Sequence, residues 1–364
     1  MKLKIKKEAI LDGLQKVQSI VNPRTTLPIL SNILLRAEKD RLWLSATDLE
    51  VSVRASVEAE VLKEGGSTLH ARRAFSIFRE LSGPEITIET DDKDVAVIKS
   101  GSSYFKMVGI SEDDFPPLPK FSEGNTYTLD QGAFKSMIQK TSYAASTDET
   151  RQVLNGALMT FRDDKLTVVA TDGRRLALVE QEVEFPSGSE MDLIVPSKTI
   201  NELIRTLGES GTLKIIATDK QIAFDFGDML VVSRLIEGTY PNFRQVIPAS
   251  SDQRVPVERE SLLAAVRRAA LMTTDQSRSV RLNFLKNKLE IITETPDIGE
   301  ARETLPIKYS AKDISVAFNP EFLMDPLRTL ESDEIFMEIT DELSPGVIKS
   351  DVPFLYVLMP MRIS

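Results

Sequence analysis

The chain has 364 residues, a formal net charge of −10 and no cysteine. That length exceeds what a single core serves, so two or three domains are expected. The missing cysteines exclude disulfides, thiolate metal sites and a cysteine nucleophile, and the acidic balance argues against a uniformly basic nucleic-acid coat while allowing a basic patch on an acidic body.

Met1–Lys7 alternates lysine with apolar residues and reads as a strand rather than a signal peptide. Ile10, Leu14, Val17 and Val21 then recur at helical spacing. A charged turn, Glu38-Lys39-Asp40, precedes Leu42, Leu44 and Ala46, which alternate as in a strand with one buried face. That strand runs into Thr47-Asp48. His70, the only histidine, lies in a segment without a nucleophile-elbow pattern and reads as a polar strand residue before the helix Ala71–Leu81. Phe115-Pro-Pro-Leu-Pro119 closes the segment.

The same order then recurs. Phe134, Met137, Ile138 and Thr141 predict a helix, Arg162-Asp163-Asp164 a turn, and Leu166, Val168 and Ala170 a strand that stops at Thr171-Asp172-Gly173. Asp-Gly favours a turn because Gly tolerates positive φ and Asp bonds its own backbone. Two arginines follow, then a helix over 196–207 and Tyr240-Pro-Asn-Phe as closing punctuation. In the third copy the helix carries Leu262, Leu263, Val266 and Ala270, the turn is Lys286-Asn287, and the strand is Leu289, Ile291 and Thr293. Its second helix starts with Asn319 as N-cap and Pro320 at the first position; Pro326 predicts a kink or a shortened helix. Strand positions correspond at offsets of 124 and then 123. A three-fold repeat of about 120 residues, each an α+β domain, accounts for the whole chain. Linkers fall near Pro119–Gly124 and Pro248–Asp252.

Charge is divided unevenly. The six predicted helices hold 13 Lys and Arg against 7 Asp and Glu, a net of +6, leaving −16 elsewhere. Ordinary solvated helix faces give one explanation. Helices gathered on a common basic surface give another, one that attracts phosphates without reading sequence. No nucleotide-cradling glycine motif and no apolar run near the roughly 20 residues of a membrane span is present. No cofactor, metal or membrane partner is expected, and the protein reads as cytoplasmic. An enzyme would have to use Asp48 and Asp172 as carboxylates, yet these occupy equivalent places in different repeats, whereas two-metal chemistry needs converging ligands. A pure interaction scaffold with incidental helix basicity is the remaining alternative.

Ala-Thr-Asp-Gly-Arg-Arg-Leu in the second repeat, Tyr-Pro-Asn-Phe at its end, Thr26-Leu-Pro-Ile-Leu-Ser-Asn32 and the Met-Pro-Met-Arg-Ile terminus resemble the bacterial DNA polymerase III β-subunit family, the sliding clamps. The resemblance spans essentially the whole chain. It implies an α+β clamp fold of three tandem domains (1–121, 122–249 and 250–364), each with two helices packed on antiparallel sheets, dimerising head to tail into a six-domain ring around duplex DNA. It implies no catalysis. The family's partners are double-stranded DNA held without sequence preference, a second copy of the chain, and proteins that bring short clamp-binding peptides: the replicative polymerase α subunit, the clamp-loader δ subunit, translesion polymerases, ligase and mismatch-repair proteins.

By that resemblance the peptide pocket comprises Arg151, Leu154, Thr171, Gly173, Arg174, Arg175, Leu176, Pro241, Val246, Asn319, Phe322, Val357, Met359, Pro360, Met361 and Arg362. Arg24, Arg72, Arg79 and Lys198 match positions near the duplex. Phe105 and Met107 match seam contacts to Leu271 and Met272 of the partner, with Glu300 and Glu303 adding ion pairs across the seam. Departures from the family include Arg174 where histidine is common, Gln245 for an arginine, Phe322 for a frequent tyrosine, and Gln152 and Val153 for aromatics. A terminal Ser364 must also be accommodated.

Overall fold

The computed structural model describes residues 1–21, 25–119, 124–248, 254–274, 277–296 and 298–362. Each third of the chain follows one order: a strand, a helix, a run of strands, a second helix and three strands. The helices are α1 (Lys7–Val17), α2 (Ala71–Glu80), α3 (Gln131–Gln139), α4 (Ser197–Thr206), α5 (Arg259–Ala270) and α6 (Pro320–Thr329). The predicted apolar positions are the buried ones, as Ile10, Leu14 and Val17 of α1 show. Val21 falls beyond α1, where tighter i→i+3 bonds take over, Ile20 N to Val17 O at 3.4 Å and Val21 N to Gln18 O at 3.2 Å. Thr141 likewise falls beyond α3, and its hydroxyl donates back to Met137 O at 2.9 Å.

A recurrent device supports the repeat. The first residue of each repeat's first helix ties down the end of its second. Lys7 Nζ donates to Leu81 O at 2.5 Å, Gly208 N donates to Gln131 Oε1 at 3.0 Å, and Arg259 Nη1 donates to Leu327 O at 2.8 Å. These groups satisfy, or sit beside, the carbonyls that a helix end leaves without partners.

Pro326 does not shorten α6, which keeps the ten-residue length of α2 and α4. Proline lacks the N–H that would bond Phe322 O four residues back. The buried Tyr356 hydroxyl donates to that carbonyl instead, at 2.8 Å. A side chain from a neighbouring strand has replaced the missing backbone donor.

The paired strands form antiparallel sheets in two compact units, Met1–Ala133 with Glu202–Leu235, and Phe134–Asn201 with Ile236–Ser364. The first unit holds a five-stranded sheet ending in Ser103–Val108. Its eight-stranded sheet joins the first and second repeats, because Met229–Arg234 pairs with Val51–Glu58. The second unit holds an eight-stranded sheet joining the second and third repeats, because Phe354–Leu358 pairs with Arg175–Glu182, and a four-stranded sheet ending in Gly299–Pro306. The registers correspond: Val232 lies opposite Ser52, and Val357 opposite Leu176, 124 residues beyond Ser52.

Candidate functional site

The candidate site lies within the second unit and is built around the turn Thr171–Arg175. Thr171 Oγ1 donates to Arg175 O at 2.6 Å and accepts from Gly173 N at 3.1 Å. Asp172 Oδ1 accepts from the backbone N of Arg174 at 2.8 Å and of Arg175 at 3.1 Å. Gly173 takes φ 86°, the left-handed conformation that favours glycine. The first repeat builds the same turn: Thr47 Oγ1 donates to Val51 O and accepts from Leu49 N, and Asp48 Oδ1 accepts from the N–H of Glu50 and Val51. Leu49 occupies the glycine position at φ 77°. In the third repeat the strand Lys288–Thr295 extends through the positions of Thr171 and Asp172, with Glu294 and Thr295 in their place.

Beyond the turn, Leu176 faces an apolar cluster with Leu154, Leu158, Val169, Ile194, Tyr240 and Val357. The C-terminal segment is pinned at the cluster's edge. Met359 N donates to Arg174 O at 2.9 Å, and Met361 N donates to Ala317 O at 2.8 Å. Gly173, Arg174, Pro241, Val246, Met359, Met361 and Arg362 are exposed around this floor. Such a surface, with a buried aliphatic floor and a flexible methionine rim, suits an apolar ligand that must be accommodated rather than matched rigidly. Arg151 is exposed and pairs with Asp148 at 3.4 Å. Two depressions flank the ridge Tyr240–Arg244: one of about 570 Å³ that includes Leu158, Ile194 and Pro241, and one of about 420 Å³ that includes Leu178, Ile247 and Leu355.

α6 forms the other wall. Asn319 caps it, its Oδ1 accepting from Glu321 N at 2.9 Å. The Phe322 ring lies under the Arg175 guanidinium, 4.2 Å from its centroid. Burial pushes the Tyr143, Tyr240 and Tyr356 phenols well above their ordinary range, so all three stay neutral around the site. Asp325 and Tyr143, which bracket Arg175, carry no sequence signal.

Arg72 and Arg79 are exposed on α2, seven residues apart and so on one face. Arg79 pairs with Glu80 at 3.1 Å. Lys198 is exposed at the start of α4. Arg24 lies outside the described residues.

At the edge strand Ser103–Val108, Met107 is buried within its own unit, while Tyr104, Phe105 and Val108 are exposed. At the start of the edge strand Gly299–Pro306, Thr295 Oγ1 donates to Met272 O at 2.5 Å, and Leu271 beside it is 78% exposed. Glu300 and Glu303 have partners within the chain. Glu300 bonds Arg302 at 2.7 Å, and Glu303 makes a two-pronged pair with Arg268 of α5 at 2.8 and 2.7 Å. No helix among the described residues is long and apolar enough to cross a membrane, and no cluster of three metal-ligating side chains occurs among them.

Comparison with known proteins matches residues 1–119, 128–242 and 244–362 to the N-terminal, central and C-terminal domains of the DNA polymerase III beta subunit. The chain is 34% identical over 363 residues to the beta sliding clamp of Chlamydia muridarum, covering 100% of this chain and 99% of that one. It is 33% identical over 370 residues to the beta sliding clamp of Escherichia coli, covering 100% of both. A crystal structure of a sliding clamp (DNA polymerase III subunit beta) from Bartonella birtlesii bound to griselimycin superposes with a TM-score of 0.95 at 32% identity, covering 100% of both chains.

Proposed function

The chain belongs to the DNA polymerase III beta subunit family, the sliding clamps, and from that premise we propose that two copies close head to tail into a ring that encircles duplex DNA and tethers polymerases through the groove at Thr171–Leu176. The observation that carries this reading is the rule by which the repeats join. Twice within the chain, the last strand of one repeat pairs with the third strand of the preceding repeat's central run: Met229–Arg234 with Val51–Glu58, and Phe354–Leu358 with Arg175–Glu182. The first repeat's last strand, Ser103–Val108, and the third repeat's counterpart, Gly299–Pro306, are left as sheet edges. A second copy can apply the rule once more at each end, a heterologous contact that closes. Exposed Tyr104, Phe105 and Val108 on one edge, and Leu271 and Met272 at the other, supply apolar area for such a seam.

The proposal carries further assignments. The domains run 1–121, 122–249 and 250–364. Arg24, Arg72, Arg79 and Lys198 approach DNA phosphates. Arg151, Leu154, Thr171, Gly173–Leu176, Pro241, Val246, Asn319, Phe322, Val357 and Met359–Arg362 form the peptide groove. Topology holds such a ring on DNA, so weak, salt-sensitive phosphate contacts suffice, and an acidic exterior suppresses stray binding. The bound griselimycin of the Bartonella protein supports a ligand groove of this kind. Partners are the polymerase α subunit, the loader δ subunit, translesion polymerases, ligase and mismatch-repair proteins, in the cytoplasm.

The deciding experiment loads the protein with a clamp loader onto nicked circular DNA and then linearises the circle. Retention on the circle and loss from the linear form are expected. Equal retention on both forms rules out encirclement.

A further inference from the structure

We propose that Arg175 does not touch the bound peptide but acts with Asp325 as a strut that fixes the distance between the two walls of the groove, making Asp325 a positioning residue for ligand binding. The inference rests on the groove reading above. Arg175 belongs to the turn wall through its backbone, yet its side chain is only 10% exposed and each of its three nitrogens already has a partner. Nε bonds Asp172 Oδ2 at 3.1 Å, Nη1 bonds Asp325 Oδ2 of α6 at 2.5 Å, and Nη2 bonds Tyr143 O at 2.5 Å. The guanidinium plane lies against Phe322, one turn of α6 before Asp325. One cation thus binds the second repeat, through Asp172 and Tyr143, to the third, through Asp325 and Phe322.

A guanidinium whose three nitrogens are held by two carboxylates and a carbonyl has little left for a ligand, and withdrawing it would take a cation from two half-buried carboxylates. Arg174, exposed on the next position of the same turn, is the arginine with a side chain open to a peptide. Asp325 is itself tied to Arg328 at 3.1 Å, so the strut continues into the last turn of α6.

The test uses the full-length protein and griselimycin as probe, with Asp325→Asn, Arg175→Ala and the double variant. Calorimetry gives affinity, and methyl spectra of the methionine-labelled, ligand-free protein report Met359 and Met361. A strut predicts that each single variant loses about tenfold in affinity and that the double variant loses no more than the worse single, the mark of residues acting as one unit. It also predicts that the Met359 and Met361 signals move in Asp325→Asn before any ligand is added. Affinity within twofold of wild type for Asp325→Asn, additive losses, or unmoved methionine signals each overturn the proposal. Should Arg175→Ala not fold, Asp325→Asn decides alone by its affinity and its methionine signals. Failure of the wild type to bind griselimycin would instead count against the groove reading, and the ligand-free spectra would still decide the strut.

Discussion

Replacing Leu271 with alanine gives the sharpest quantitative test of the proposed seam. Leu271 ends α5 with 78% of its surface exposed in the single chain. The Met272 carbonyl beside it is held by Thr295 Oγ1, so the residue is presented on a fixed turn. Alanine removes three carbons, each worth about 0.8 kcal/mol when buried, so a seam that covers Leu271 loses close to 2 kcal/mol. A head-to-tail ring contains two seams, so the dimer loses about 4 kcal/mol, which raises its dissociation constant several hundredfold. Sedimentation across a dilution series reads this directly. Leu343→Ala is the control, since Leu343 is 72% exposed but belongs to the loop between Glu334–Glu338 and Gly346–Lys349 and to neither edge strand. A shift of less than about tenfold for Leu271→Ala, or an equal shift for Leu343→Ala, would refute the seam assignment, because 4 kcal/mol corresponds to nearly three decades.

Three further outcomes follow from the local geometry. Gly173→Ala places a side chain at φ 86°, costing about 1 kcal/mol; its Cβ would meet only the mobile end of Arg151, at 3.2 Å, so a denaturant midpoint should fall without loss of folding. An unchanged midpoint would show that the turn is not strained. Tyr356→Phe leaves Phe322 O without a donor beside Pro326 and should destabilise the protein by about 1–3 kcal/mol in chemical unfolding; a neutral result would show that the helix needs no replacement donor. Glu303 is held below its ordinary value of 4.5 chiefly by its hydrogen bond from Arg268. A carboxylate lowered on folding stabilises above its unfolded value and loses that contribution as pH falls through the folded one. Glu303→Gln should therefore flatten the acid limb of stability below about pH 4.5, and an unaltered limb in a pH series of melts would remove the pair from the account.

How far the sequence disclosed this architecture depended on distance along the chain. The turn at Thr171-Asp172 was legible because its bonds close within four residues, and its echo at Thr47-Asp48 reproduces the same bonds. The hairpin turns were legible for the same reason: Lys39, Asp163, Asp164 and Asn287 all adopt positive φ. Pairings across long separations were not. Nothing in the local sequence joins Arg175 to Asp325, 150 residues away, or predicts that Tyr356 will serve the carbonyl freed by Pro326. Glu303 read as a seam charge by resemblance, and its pairing with Arg268 depends on how α5 packs against the strand Gly299–Pro306. Met107, a seam residue by resemblance, is buried within its own unit, and strand alternation leaves Tyr104 and Val108 outward.

The duplication also explains why the proposed groove belongs to one junction and not the other. Matching registers make Leu34, Ser45, Ser52, Thr68 and Val232 the first-junction counterparts of Leu158, Val169, Leu176, Ile194 and Val357. Three of the five aliphatic positions have become hydroxyl residues. Two of those hydroxyls have internal uses: Ser52 bonds Thr47, and Thr68 accepts from Asn32 and donates to Ile110 O at 2.8 Å. A buried hydroxyl that already has its partners contributes little to an apolar ligand, whereas at the second junction a buried aliphatic floor is rimmed by exposed Val246, Met359 and Met361, whose area gains from being covered. The shared turn therefore cannot be the source of binding, since both junctions possess it. What separates them is the floor beneath the turn, aliphatic in the second copy and hydroxylated in the first, together with Gly173 and Arg174, which open a rim where the first copy places Leu49 and Glu50.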